Sequence, residues 1–105
     1  MGGVKEASMV NDSGLEEASR ALKALSHPIR LKILCVLADG IGEIPVQEIV
    51  TAIDSSQSNI SQHLSIMRDK GLITARKQGN RVMYSIGDER MFDLFNMMRD
   101  LFRDD

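Results

Sequence analysis

The run SQSNISQHLSIMRDKGLITARK, residues 56–77, constrains the fold more than any other stretch of the chain. Ser56 stands where an N-cap belongs, and Ile60, Leu64 and Met67 recur at helical spacing, so the segment reads as an amphipathic helix with one buried stripe. The remaining face carries Gln57, Ser58, Ser61, Gln62, Ser65 and Arg68, with Asn59 beside it. An ordinary solvated helix face is built from Lys and Glu; short, neutral donors and acceptors suit base-pair edges in a major groove. Lys70-Gly71 ends the helix, and a basic strand follows at once. The pattern predicts a DNA recognition helix running into a wing.

The flanking sequence supplies the rest of a small domain. Residues 1–12 lack periodicity and are expected to form a disordered arm, with one domain over 13–105. Ser13-x-x-Glu16 reads as a capping box for a first helix, about Gly14 to Leu25, with Leu15, Ala18, Leu22 and Leu25 on one stripe. Pro28 suits the first turn of a second helix, about Pro28 to Ala38, which is apolar on most sides and belongs at the centre. A short third helix, Val46 to Ile53, precedes the turn Asp54-Ser55. Helix, tight turn and capped helix make a helix-turn-helix. Leu72–Lys77 and Val82–Ile86 are β-prone runs joined by the loop Gln78-Gly79-Asn80-Arg81. Asp88 caps a last helix, about Glu89 to Arg103. The fold class is mainly α, in the order α-α-α-α-β-β-α: a winged helix-turn-helix with a helix added at each end. Three of the four aromatic residues sit in that last helix. The apolar residues Met91, Phe92, Phe95, Met98 and Phe102 there, with Leu15 and Leu22 of the first helix, are expected to form the interface of a symmetric homodimer.

Charge distribution supports a polyanionic partner although the net charge is −2 and the pI about 5.6. From Gln57 to Ile86 the charged residues are Arg68, Asp69, Lys70, Arg76, Lys77 and Arg81, a local charge of +4 that leaves −6 for the rest. Arg81 is a candidate for the minor groove. Arg68, Lys70, Arg76 and Lys77 are candidates for phosphates, with Asn80 at the wing tip. No apolar run is long enough to span a membrane, and the N-terminus does not resemble a signal peptide. Cys35 is the only cysteine, which excludes an intrachain disulfide. Together these features predict a cytoplasmic protein. No phosphate loop, carboxylate pair or Cys-His dyad points to an enzyme. A protein-interaction module on the same fold is the other class open to this pattern, and the intact Gln/Ser face argues against it.

Four motifs in order resemble the ArsR-type (arsenic-repressor family) winged-helix regulators. They are Ala24-Leu25-Ser26-His27-Pro28-Ile29-Arg30-Leu31-Lys32-Ile33-Leu34, the run Ser56 to Leu64, Met67-Arg68-Asp69-Lys70-Gly71-Leu72-Ile73, and the wing Arg76 to Arg81 with Tyr84. The resemblance covers about residues 15–103. It implies a homodimeric transcriptional repressor that binds double-stranded DNA at a palindromic operator and releases it on an effector or redox signal. It also implies Gln57, Ser58, Ser61 and Gln62 as the base or near-base contacts.

The departures from the family pattern are informative. Pro45 and Gln47 stand where the family's third-helix metal site has cysteines, and the last helix has no histidine, so neither metal site is expected, nor any cofactor. His27 and His63 have no carboxylate or cysteine at ligand spacing; His63 reads as a structural partner beneath the DNA face. Thiol-switch relatives pair a cysteine of the second helix with one near the end of the last. Cys35 matches the first, and Phe102 and Arg103 occupy the region of the second. Among Leu31, Leu34 and Ala38, Cys35 reads first as a small buried hydrophobe, and through the resemblance as a possible redox position. No motif names an effector.

Overall fold

The computed structural model describes residues 11–40 and 42–103. Helix α1 (Asp12–Leu25) leads into α2 (Pro28–Asp39); strand β1 (Ile44–Pro45) precedes α3 (Val46–Ala52) and α4 (Gln57–Asp69); the hairpin β2 (Thr74–Gln78) and β3 (Arg81–Ser85) is followed by α5 (Glu89–Leu101). This is the expected winged helix-turn-helix with one strand added. The sheet is antiparallel in the order β1-β3-β2. Ile44 pairs with Tyr84 and Pro45 with Met83, a pairing too short to leave an alternating pattern in the sequence.

Helix α2 is central, as its all-round apolarity predicts. Ile33, Leu34 and Leu37 are buried, and they meet Ile49 and Ile53 at α3, Ile60, Leu64 and Met67 of α4, Leu72 and Ile73 after it, and Phe95 of α5. Burying one such aliphatic side chain contributes about 1.5–3 kcal/mol. His27 caps α2 with its own ring, Nδ1 accepting from the Ile29 amide at 3.2 Å.

Helix α1 starts earlier than its capping box suggests. Asn11, not Ser13, is the cap: its Oδ1 accepts from the Gly14 amide at 2.7 Å. The domain therefore takes in Asn11 and Asp12, which the sequence assigns to the arm; the remainder of that arm, residues 1–10, lies outside the described residues. Helix α1 touches the core through Ala24, Ala21 and Leu25, so Leu15, Ala18 and Leu22 of the expected stripe face outward.

Helix α5 is turned likewise. Phe95, expected at a subunit interface, is buried in the chain's own core, with Met91 and Met98 half-buried beside it. A broad apolar surface does not say which part meets its own domain, and here α2 takes the Phe95 row. Phe92, Leu94, Met97, Leu101 and Phe102 remain exposed, the last two at 76%. Arg99 fastens this helix: Nη1 donates to Asp39 Oδ1 at 2.9 Å, and the guanidinium carbon lies 5.5 Å from the Phe95 ring centroid.

Candidate nucleic-acid interface

Local chemistry fixes both ends of α4. Ser56 Oγ accepts from the Asn59 amide at 3.0 Å at the N-terminus. At the C-terminus Gly71 adopts φ 75°. The Gly71 amide donates to Arg68 O at 3.0 Å and the Leu72 amide to Met67 O at 2.9 Å, the paired bonds of a Schellman motif. A side chain at position 71 would strain that left-handed turn. Leu72 and Ile73 then bury themselves and aim the chain into the wing.

The underside of α4 is anchored by Ile60, Leu64 and Met67, all fully buried, and by His63, 8% exposed. His63 Nδ1 accepts from Arg30 Nε at 3.1 Å, and Arg30 Nη1 donates to the Ala24 carbonyl at 3.0 Å. The rings of His27 and His63 are 4.4 Å apart. Burial, then electrostatic repulsion from the neighbouring His27 and Arg30, pushes the His63 pKa below the usual 6.5, which favours the neutral ring that can accept at Nδ1. The expected structural role of His63 thus has a specific geometry.

Above this floor, Gln57, Ser58, Ser61, Gln62, Ser65 and Arg68 are all exposed. The Gln and Ser side chains among them make no hydrogen bond to other described residues. Asn59 differs: its Nδ2 donates to Ser55 Oγ at 2.8 Å, so its amide braces the preceding turn. Arg68 lies 3.5 Å from Asp69.

The wing closes tightly. Gln78 pairs with Arg81, leaving Gly79 and Asn80 as the turn. Gly79 has φ 65° and no non-glycine residue among the described residues has positive φ, the pattern of a II′ hairpin. Lys77, Asn80 and Arg81 are exposed at its edge and tip. Lys70, Lys77 and Arg81 have no ion-pair partner among the described residues. Arg76 is not free in this way. Its Nε lies 3.0 and 2.9 Å from the two Glu43 oxygens, and Nη2 reaches Glu43 Oε1 and Gln78 Oε1. The guanidinium holds the Glu43 carboxyl below its ordinary range. Sequence reasoning placed Arg76 on phosphate because its strand neighbours are basic; Glu43 is distant in sequence and left no signal.

The residues at the family's metal position do not fit a metal. Glu43 is committed to Arg76, Pro45 lies in β1 and precedes α3, and Gln47 offers no thiolate. Among the described residues no group of three or more His, Cys, Asp or Glu comes together. Cys35 is half-buried rather than enclosed. It opens onto a groove of about 710 Å³ between α2 and α5, beside Leu31, Phe95, Met98 and Arg99, because α5 covers only one side of α2 there. No helix among the described residues is long and apolar enough to cross a membrane.

Known proteins share this arrangement. The family described as "Bacterial regulatory protein, arsR family" matches residues 27–75. The HTH-type transcriptional regulator YgaV of Escherichia coli (strain K12) is 38% identical over 87 residues, spanning 83% of this chain and 87% of that protein. The biofilm growth-associated repressor of Xylella fastidiosa (strain 9a5c) is 31% identical over 86 residues, 82% of this chain and 74% of that protein. The solution structure of the homodimeric winged helix-turn-helix DNA-binding domain Mb0332 from Mycobacterium bovis superposes with a TM-score of 0.78 at 32% identity, covering 90% of this chain and 88% of that one. In motif order, fold and overall similarity, this chain belongs to the ArsR family of bacterial regulatory proteins.

Proposed function

We propose that the chain is a sequence-specific DNA-binding transcriptional regulator: a cytoplasmic, homodimeric repressor, released from a palindromic operator by an effector or redox signal. The observation that carries this reading is the exposed face of Gln57, Ser58, Ser61, Gln62 and Ser65, held over a floor of fully buried Ile60, Leu64 and Met67. Rigid presentation of unpaired amides and hydroxyls is what direct readout of base edges requires. Its work is binding rather than catalysis. Two copies would place their recognition helices in successive major grooves about one helical turn apart. The subunits would meet through Leu15, Ala18 and Leu22 of α1 and Phe92, Leu94, Met97 and Leu101 of α5 with Phe102 at its C-cap, apolar side chains that one domain leaves uncovered.

The test is an operator selected from a random duplex pool, titrated against wild type and the Ser61→Ala, Gln62→Ala double variant. Specific binding should weaken by about 1–3 kcal/mol per lost base contact, with non-specific binding nearly unchanged. Equal losses on operator and random DNA would overturn the assignment.

A further inference from the structure

The basic surface extends beyond the recognition helix and the wing. Arg20 and Lys23 of α1, Arg30 of α2 and Lys70 at the end of α4 converge on one groove of about 290 Å³, with Ala24 and Ile66 as the remaining lining and no carboxylate among these residues. Lys23 and Lys70 also offset the negative ends of their helices. Arg30 is held by the Ala24 carbonyl in the last turn of α1 and by His63; Arg20 has no such role. Glu17 and Asp69 line the adjoining depression, which shares Arg20 and Lys70 with the groove, and Asp69 lies against Arg68.

The groove lies beside the reading face. Gln62, Ile66 and Lys70 form one row at i, i+4 and i+8 along α4, so the face that presents Gln62 continues into the groove wall. Arg20 sits on the side of α1 opposite Leu15 and Leu22, so pairing of subunits through those leucines would leave it free; Lys23 borders both surfaces.

We infer that this α1–α4 groove is a phosphate clamp for the DNA backbone flanking the major groove read by α4. The inference rests on the proposed DNA binding and adds a third element, α1, to its contact surface. A duplex backbone suits the groove because the wall continues the face that presents Gln62, so a phosphate seated there would belong to the same duplex that α4 reads.

The experiment measures binding of the full chain to a random-sequence duplex across a salt series, for wild type, R20Q/K23Q and the charge-keeping R20K/K23R. Each phosphate contact contributes about 0.9 to the slope of log affinity against log salt. The expected result is a slope shallower by about 1.8 for R20Q/K23Q, restored by R20K/K23R, with a polyglutamate peptide bound weakly and equally by all three. An unchanged slope for R20Q/K23Q, or a loss confined to polyglutamate, would overturn the clamp while leaving the proposed function standing. Failure of wild type to bind any duplex would overturn both.

Discussion

Arg30 donates to His63 across 3.1 Å, and this bond ties the start of α2 to the underside of the recognition helix. The acceptor is a ring nitrogen that protonation would convert into a donor facing a guanidinium. His27 adds a second imidazole 4.4 Å away. The recognition helix is therefore seated on a junction whose geometry favours a neutral His63.

The first prediction is a stability that falls in mild acid. The His63 pKa is depressed in the folded chain, so between that lowered value and 6.5 the unfolded chain binds more protons. The stabilisation is complete above pH 6.5 and is lost as the pH falls through the lowered value. Urea midpoints should drop from pH 7.5 to pH 5, and the drop should be smaller in His63→Gln. The same drop in both proteins would show that His63 is not responsible.

A second prediction concerns Glu43 and Arg76. Glu43→Gln removes the carboxylate that engages Arg76, so the guanidinium becomes available to a phosphate. The salt slope for random duplex should steepen by about 0.9. In Arg76→Gln the Glu43 exchange should change nothing further. Because Arg76 lowers the Glu43 pKa, the pair's stabilisation is present above the ordinary 4.5 and lost as pH falls through the lowered value. A slope unaltered by Glu43→Gln would mean that Arg76 stays away from DNA when released.

Pairing of subunits should depend on the exposed leucines rather than on Phe95. Leu22→Ser together with Leu101→Ser should shift sedimentation at micromolar concentration from two chains to one, with the helical circular dichroism retained. Phe95→Ala should act differently, lowering the unfolding free energy by about 3–5 kcal/mol because it empties a buried site within the chain. A Leu22/Leu101 variant that still sediments as a dimer would reassign the interface.

Leu64 links packing to recognition. Leu64→Ala should cost about 2–5 kcal/mol of stability and weaken operator binding more than random-duplex binding, because α4 loses the floor that fixes its rotation. Operator affinity equal to wild type in the folded variant would show that α4 is held by its other contacts.

What the sequence discloses follows from how local each signal is. Ser56, the Ile60–Leu64–Met67 row and Gly71 act within a few residues of one another, and they define α4 to the residue. Strand β1 depends on Tyr84 and Met83, far along the chain, so Pro45 reads only as the start of the third helix until the hairpin is in place. Asn11 and Ser13 are both good caps, and nothing local ranks them. The Glu43–Arg76 pair and the convergence of Arg20 and Lys23 on Lys70 are tertiary facts. Reading charge by segment concealed both, since it assigned α1 to the acidic part of the chain.

The three-stranded sheet has two free edges, and each is guarded by a different device. Strand β1 is two residues long, and Pro45 has no amide hydrogen to offer a stranger. At the other edge, β2 carries Lys77, whose charge has no ion-pair partner among the described residues and repels a like strand from another molecule. A chain that gathers at high local density along DNA can thus display a hairpin without adding strands to its neighbours, which keeps association confined to the helical faces.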